Sequence, residues 1–317
     1  MSRGLVIRGS RNIFTVKPLD NSPAGNIECR LKGKILKGQE KVYNPLAPGD
    51  RVIFEQNEKE KGTGLITALE DRRNVFTRFN QKGQAPQLLA ANVDLILCVT
   101  TPASPPFRPR FLDRILAQAE ASNITPVILC NKNDLADDDP DVEERLTDYK
   151  RIGYQLLRIS ARTGEGFNEL RSLLGGKFSL LLGQSGVGKS SIVNALVPDL
   201  DIRVGSLVEK YDRGSHTTTL SSIIEVPALD GFPAAVVIDS PGLRRFVPQG
   251  FEKNDLIFYM KEFAPLAGKC SYGLSCSHQS EPGCKIMEAV AAGIIHEDRY
   301  DSFLRIQDEL GGKVYND

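Results

Sequence analysis

The sequence predicts an α/β protein in three parts: a small N-terminal β-barrel, a central parallel sheet covered by helices, and a mostly helical C-terminal part that binds a metal. Three observations predict this architecture. Short apolar runs broken by Gly, Pro and Asn fill residues 1–71. Longer apolar runs alternate with helical patterns over residues 72–250. Three Cys and one His cluster within residues 251–317. We take these three ranges as the domains.

Length and charge limit the possible classes of protein. The chain has 317 residues, enough for two or three domains, and 40 basic against 40 acidic side chains. The net charge therefore predicts no nucleic-acid partner, and only residues 1–71 are mildly basic, with 12 Lys and Arg against nine Asp and Glu. No apolar run reaches the roughly 18 residues of a membrane span, and the N terminus lacks the apolar core of a secretory signal. With six Cys, three of them clustered, we expect a reduced, cytoplasmic protein.

Residues 1–71 carry the pattern of five short strands. The strands are predicted at Gly4–Ile7, Asn12–Val16, Ile27–Leu31, Arg51–Phe54 and Gly64–Leu69, with turn-forming residues between them. Five strands in about seventy residues favour a barrel of the OB type, although another small β domain would also fit.

From residue 92 the pattern changes to that of a doubly wound α/β sheet. Buried strands are predicted at Val93–Val99, Pro126–Cys130, Leu156–Ile159, Phe178–Leu182 and Ala234–Ile238, with helical patterns between them. We expect residues 72–91 to form a polar connector, and the tail from residue 251 to be mostly helical.

A glycine-rich loop follows the fourth of these strands. Residues 183–190 read Gly-Gln-Ser-Gly-Val-Gly-Lys-Ser and fit G-x-x-x-x-G-K-[ST] between a strand and a helical pattern, the setting in which this motif binds phosphates. The glycines let backbone N–H groups approach the phosphates, and the following helix points its positive end at them. We expect Lys189 to contact the β- and γ-phosphates and the Ser190 hydroxyl to ligate Mg²⁺.

A base-reading loop lies upstream of the phosphate loop. Asn131-Lys132-Asn133-Asp134 has the form N-K-x-D and comes directly after a predicted strand. The Asp134 carboxylate can accept from N1–H and the exocyclic amine of guanine, a donor pair that adenine lacks, which argues against a P-loop ATPase or kinase. Lys132 would lie along the base, and the backbone of Ser160 and Ala161, after the next strand, would meet the guanine oxygen.

The order of these loops indicates a circularly permuted P-loop GTPase. In an ordinary GTPase the phosphate loop comes first, whereas here both base loops precede it. The segment 239–242, Asp-Ser-Pro-Gly, follows a strand and matches the D-x-x-G of switch two, with Asp239 expected at Mg²⁺ and Gly242 at the γ-phosphate. Switch one must supply a Thr to Mg²⁺, and Thr217 and Thr218 are both candidates.

Hydrolysis is predicted to be slow. Leu243 stands where Ras-like GTPases carry a Gln that orients the attacking water, and a Leu side chain can neither donate nor accept a hydrogen bond. Another group or a partner must then position the water. His216 is the best internal candidate, although a loop His can also be a bystander.

The candidate residues form three sets. The predicted residues for GTP or GDP are Asn131, Lys132, Asp134, Ser160, Ala161, Gly183, Gln184, Ser185, Gly186, Val187, Gly188, Lys189, Ser190, Ser191, Asp239 and Gly242. The predicted catalytic residues are His216, Lys189, Thr217 and Thr218. The predicted Mg²⁺ ligands are Ser190, Asp239 and a switch-one Thr, Thr217 or Thr218.

The C-terminal Cys/His cluster predicts a structural zinc site. Cys270, Cys276, His278 and Cys284 have the spacing C-x5-C-x-H-x5-C. Three thiolates and an imidazole complete a zinc site with no position open for water, which argues against zinc catalysis. The segment 271–282 is rich in turn-forming residues and poor in large apolar ones, so that the metal would substitute for a core. The other three cysteines, Cys29, Cys98 and Cys130, lie in apolar strands and are expected to pack there.

With these motifs in this order, the chain resembles the RsgA (YjeQ) family, circularly permuted GTPases that depend on the small ribosomal subunit. The resemblance covers essentially the whole chain and rests on the base, phosphate and switch motifs, the sequence His216-Thr217-Thr218 and the Cys/His cluster. It implies GTP hydrolysis stimulated by the small subunit and a role as a late maturation checkpoint. It also implies that the barrel and the zinc domain contact 16S rRNA. We expect a monomer.

The chain departs from the family pattern at two places. The family usually has G-R-H-T-T before switch one, whereas residues 214–218 read Gly-Ser-His-Thr-Thr, which leaves open the contact that the Arg would make. The first Cys gap is five residues instead of four, and tetrahedral zinc tolerates this. The alternative to a ribosome-activated enzyme is an RNA-binding module in which GTP is only a bound ligand and turnover is incidental.

Overall fold

The N-terminal strands close into a barrel. The computed structural model describes residues 1–10, 12–20, 25–33, 42–136, 139–200 and 221–312. The barrel strands are β1 (Ser2–Ser10), β2 (Ile13–Pro18), β3 (Ile27–Leu31), β4 (Arg51–Gln56) and β5 (Thr63–Leu69). Their order is β1-β2-β3-β5-β4, with β4 returning to β1, and the β3–β5 pair is parallel. Alternate side chains fill the interior, as the pleat dictates. The predicted OB-type barrel is confirmed.

Residues 72–91 are not a mere connector. They contain an antiparallel hairpin of β6 (Val75–Asn80) and β7 (Ala85–Ala91). The hairpin is fixed to the barrel side by the Asn44 side chain, which donates to Leu88 O at 2.9 Å. Buried Phe76 packs against Phe246 with ring centroids 5.7 Å apart. The polar turn and the charged residues of this segment concealed a strand pair whose apolar partners lie far away in the sequence.

A six-stranded sheet forms the centre of the molecule. Its strands are β8 (Leu95–Thr100), β9 (Thr125–Cys130), β10 (Gln155–Arg158), β11 (Phe178–Gly183), β12 (Ser222–Val226) and β13 (Ala235–Asp239). The order is β10-β9-β8-β11-β13-β12, all parallel except for the edge strand β12. Every residue of β8 is buried, as expected for a strand covered on both faces.

Helices cover both faces of this sheet. They are α1 (Pro109–Ala121), α2 (Pro140–Arg151), α3 (Phe167–Leu174) and α4 (Lys189–Leu196). One apolar core contains residues of α1 and α2, and the other contains residues of α3 and α4. The predicted doubly wound arrangement is therefore confirmed. Because parallel strands end at the same edge, the loops that follow β8, β9, β10, β11 and β13 meet there.

The C-terminal part is mostly helical. Short 3-10 segments at Lys253–Tyr259, Ala264–Leu266 and Gly273–Ser275 precede α5 (Lys285–Ala291) and α6 (Glu297–Leu310). Its apolar core includes Phe263 and Phe303, whose rings stack with centroids 4.6 Å apart. The helix α6 lies against α1, where buried Arg299 donates to Asp113 at 2.7 Å. Within the described ranges no helix is both long and apolar enough to cross a membrane.

Candidate functional site

The phosphate-loop motif lies between β11 and α4, at the edge where the parallel strands end. Gly186 and Gly188 have φ angles of +85° and +91°, a region that favours glycine. A Cβ at Gly188 would lie 2.4 Å from Asn131 Nδ2, and one at Gly183 would lie 2.6 Å from Val99 O. The glycines are therefore required both for the turn and for the close approach of neighbouring loops. Within the loop Gln184 and Val187 are buried, and Ser185 is exposed.

Lys189 is held inside the phosphate loop. Its buried Nζ donates to Gly183 O and Gln184 O, each at 2.9 Å. Burial lowers the pKa of Lys189 to about 8, and the negative charge of Asp239 opposes that shift. The loop thus presents an ammonium that is held by carbonyl groups and is available to an anionic ligand. Ser190 and Ser191 follow in the first turn of α4 and are half-buried.

Asp239 ends β13 beside this lysine. Its side chain is buried, and its Oδ1 has no hydrogen-bond partner among the described residues. Burial raises the pKa of Asp239 to about 6, against the opposing charge of Lys189. A buried carboxylate oxygen without a donor fits a divalent cation, since Mg²⁺ takes oxygen ligands. The residues present here fit a Mg²⁺ site.

The switch-two motif lies against the phosphate loop. A Cβ at Gly242 would lie 2.8 Å from Ser185 Cα, so that the two backbones are in direct contact. The Leu243 N–H donates to Gly183 O at 3.2 Å, and the Leu243 side chain is buried in the core. Leu243 therefore faces away from solvent, and its environment is that of a packing residue.

Asn131 joins the two base loops to the phosphate loop. Its buried side chain donates from Nδ2 to Val187 O at 2.9 Å and accepts from Ala161 N at 3.1 Å. Lys132 has a φ of +64°, and its Nζ donates to Ser104 O at 2.7 Å. The three loops predicted from separate motifs therefore form one constellation.

Asp134, in the first base loop, is paired with two residues of the second. Its carboxylate accepts from Ser160 Oγ and from Arg162 Nε, the latter at 2.7 Å. These hydrogen bonds, that of Ser160 first, lower the pKa of Asp134. Sequence reasoning named Ser160 but did not assign the Arg162 contact. The position of Arg162 directly after Ser160 and Ala161 was the available signal.

Three predicted residues cannot be placed. His216, Thr217 and Thr218 lie outside the described residues. The other candidates for nucleotide binding, between residues 131 and 242, are brought together at one edge of the sheet.

The four residues of the predicted metal site converge. The ligand atoms of Cys270, Cys276, His278 and Cys284 all lie within 4.8 Å of one another, and all four side chains are buried. His278 Nδ1 is 3.6 Å from Cys270 Sγ and 3.5 Å from Cys284 Sγ, and the two sulfurs are 3.9 Å apart. Tetrahedral zinc with ordinary bond lengths requires about 3.6 Å between nitrogen and sulfur and about 3.8 Å between sulfurs. The donor set and its spacing fit zinc.

One contact in the metal loop was not found from the sequence. The exposed Glu281 carboxylate accepts from the backbone N–H groups of Ser277, Gln279 and Ser280, at 2.7, 3.0 and 3.1 Å. Hydrogen bonds from Ser277, that of its side chain first and then that of its backbone, lower the pKa of Glu281 to about 2. The carboxylate therefore organises the turn that carries His278 between two cysteines.

Comparison with known proteins agrees with this geometry. The RsgA GTPase family matches residues 69–248. The small ribosomal subunit biogenesis GTPase RsgA of Bacteroides fragilis is 38% identical over 316 residues, with 98% of each chain covered. The protein of that name from Chlorobaculum parvum is 38% identical, with 97% of each chain covered.

Two solved structures share the fold. YjeQ from Thermotoga maritima has a TM-score of 0.72 and 31% identity, and 99% of each chain is covered. YloQ, a circularly permuted GTPase, has a TM-score of 0.66 and 25% identity, covering 100% of this chain and 97% of its own. The base loops, the phosphate loop and switch two follow one another here in the permuted order, and the chain belongs to the RsgA family of GTPases.

Proposed function

We propose that this GTP hydrolase acts as a late checkpoint in the maturation of the small ribosomal subunit, and that binding to that subunit stimulates its hydrolysis. One observation carries the proposal. The guanine loop, the phosphate loop and switch two converge at one sheet edge, in a chain that matches small-subunit biogenesis GTPases over nearly its whole length. We further propose that it works as a monomer in the cytoplasm.

We propose the following roles for the site residues. Asp134 reads guanine, with Lys132 along the base and Asn131 holding the loops in register. Lys189 and the loop N–H groups bind the phosphates, and the Gly242 N–H meets the γ-phosphate. Guanine would displace Arg162 from Asp134, an inexpensive exchange because Arg162 is largely exposed.

A Mg²⁺ ion would be held at the γ-phosphate by Asp239, Ser190 and one switch-one Thr, Thr217 or Thr218. When bound, it neutralises charge that develops on the transferred phosphoryl group. Asp239 supports this role because its buried Oδ1 has no donor among the described residues. The Lys189 ammonium is held in place by two carbonyl groups and would neutralise the same developing charge.

Hydrolysis by the isolated protein is expected to be slow. Leu243 is packed in the core and cannot orient water. We propose that His216, or a group of the ribosomal partner, positions the attacking water. The burial of Leu243 also favours the alternative, an RNA-binding module with incidental turnover.

The flanking parts would supply the contacts to the partner. We propose that the barrel and the C-terminal domain, residues 251–317, bind 16S rRNA. A structural zinc ion would hold the latter through Cys270, Cys276, His278 and Cys284.

The test is multiple-turnover GTP hydrolysis with and without purified small subunits, at moderate salt, with large subunits as the matched particle. Stimulation of at least about 100-fold by small subunits alone is expected, comparable to the gain when a partner completes a GTPase site. Slow turnover that neither particle changes would support the binding-module alternative.

Base specificity is checked with Asp134→Asn in the same assay. This variant should lose hydrolysis of GTP and gain hydrolysis of xanthosine triphosphate, because xanthine presents an acceptor where guanine carries its amine. Asn133→Ala is the control, since Asn133 bonds Glu165 and not the proposed base site. Unchanged GTP preference in Asp134→Asn would refute the assigned role of this carboxylate.

A further inference from the structure

The segment that follows switch two is fixed at two points. At its start, the Leu243 N–H donates to Gly183 O in the phosphate loop at 3.2 Å. Three residues later, fully buried Phe246 packs against Phe76 of β6. Arg245 lies between these anchors, three residues after Gly242. Its side chain therefore projects from a short segment that links switch two to the core.

Arg245 contacts the C-terminal helix. Its Nη2 donates to Glu309 Oε1 in α6 at 2.9 Å. The Glu309 side chain is 1% exposed and also accepts from Arg114 of α1, at 2.8 Å from Nε and 3.0 Å from Nη2. One buried carboxylate thus joins three separate parts of the chain. Charge-assisted bonds of this kind are the stronger ones.

The two guanidinium groups are held unequally. Arg114 makes two bonds to Glu309, donates a further one to Arg110 O at 2.9 Å, and is 2% exposed. Arg245 makes a single bond to the same carboxylate and is 22% exposed. Its buried Nε has no hydrogen-bond partner among the described residues. The Arg245 contact can therefore break while Glu309 stays paired and buried.

We propose that Glu309 is a positioning residue of the GTPase centre: by holding Arg245 it fixes the segment after Gly242 and ties switch two to the C-terminal helix. The inference rests on the proposed contact of Gly242 with the γ-phosphate. A γ-phosphate that moves Gly242 also moves Arg245, three residues away, and changes its bond to Glu309. Coupling between sites is reciprocal, so loss of this bond changes the relative affinities for GTP and GDP.

The experiment uses Arg245→Met in the full chain. Met keeps much of the apolar stem, and Glu309 keeps its partner Arg114, so that no buried charge is left alone. We measure the dissociation constants for GDP and for a non-hydrolysable GTP analogue, together with kcat and KM. The ratio of the two constants is expected to change by at least about fivefold, the lower end of ordinary coupling. Arg245→Lys, which retains the positive charge and a donor group, should restore the ratio to within about twofold of the wild type.

The matched control is Asp301→Asn. It removes an exposed bridge from Arg110 to Asp301, 2.7 Å long, that joins the same two helices but does not touch switch two. The ratio should stay at the wild-type value in this variant. An unchanged ratio in Arg245→Met, or an equal change in Asp301→Asn, would overturn the positioning role. If the wild type itself binds neither nucleotide, the proposed function fails instead.

Discussion

The proposed nucleotide site and the metal cluster are built in opposite ways. The nucleotide site takes its residues from positions between 131 and 242, each placed at the end of a strand of one sheet with a core on either face. The metal cluster takes four residues from the short segment 270–284, which consists of turns and a 3-10 segment and ends directly before α5. One site is positioned by a scaffold, and the other has little scaffold of its own.

This difference shows in how each site satisfies its polar groups. In the nucleotide site, Asn131 and Lys189 already bond to backbone groups, and only particular atoms such as Asp239 Oδ1 lack a partner among the described residues. In the cluster, the buried thiols of Cys270 and Cys284 and the His278 imidazole lie 3.5 to 3.9 Å apart, and the buried Cys276 thiol lies within 4.8 Å of them. A site positioned by a sheet can stay folded without its ligand, whereas a site of converging thiols needs a metal to fold.

Removal of the metal should have the largest effect, and that effect should be confined to the metal cluster. Cys284→Ser, or treatment with a strong chelator, should abolish zinc binding and unfold the segment 270–284, because structural zinc contributes about 10–16 kcal/mol of folding free energy. GDP binding should persist, since the sheet carries that site. Metal content by mass spectrometry and hydrogen exchange check this.

Cys29→Ala is the control for that experiment, because Cys29 is a buried thiol of the barrel outside the cluster. It should retain one zinc per chain. If Cys284→Ser kept native protection in the segment 270–284, the cluster would not depend on metal.

A smaller effect is the pH dependence of the nucleotide site. Asp239 must lose its proton to hold Mg²⁺, and its pKa is raised to about 6, while Lys189 must keep its proton, and its pKa is lowered to about 8. The gain in Tm on adding Mg²⁺ and GDP should therefore be greatest between about pH 6 and about pH 8.

In the ligand-free protein, ionisation of Asp239 has the opposite effect on folding stability. Its folded pKa lies above the value of the unfolded chain, so its contribution to stability is present at low pH and is lost as pH rises through about 6. Asp239→Asn should lose the part of the acid limb of the ligand-induced Tm gain that Asp239 causes. Its alkaline limb should remain but move to lower pH, because the charge that opposes the lowering of the Lys189 pKa is gone. The phosphates of GDP titrate alike in both proteins, so an acid limb unchanged in Asp239→Asn would exclude Asp239 as its source.

The Glu281 carboxylate should make a small contribution to the retention of zinc. Glu281→Gln replaces one carboxylate oxygen by an NH2 group, which cannot accept a hydrogen bond, so that either the bond from Ser277 N or those from Gln279 N and Ser280 N are lost. The zinc should remain bound but leave faster, by roughly threefold, in a competition with a chromogenic chelator, because the turn that carries His278 loses part of its hydrogen bonding. Glu288→Gln, on the neighbouring helix α5, is the control and should leave the release rate unchanged.

Much of this architecture could be predicted from the sequence. The strands are local apolar patterns, and Gly183–Ser190 and Asn131–Asp134 lie directly after strands, so that the sheet fixes where they meet. The hairpin of β6 and β7 was not predicted because its polar turn concealed it. The sequence did not predict the ion pairs of Glu309 with Arg114 and Arg245, because these pairs join segments far apart in the chain. On a helix such as α6 a carboxylate is indistinguishable from a solvated one until its partners are known.

The permuted strand order has a consequence for synthesis of the chain. The strands β8, β9 and β10, which carry both base loops, are translated before β11 and β13, which carry the phosphate loop and switch two. Domains fold as units while the N-terminal part emerges first. A nascent chain therefore holds the proposed guanine-reading half before the proposed phosphate loop, residues 183–190, and Asp239 have been made. GTP cannot assist the early folding of this domain and can stabilise it only when translation of the core is nearly complete.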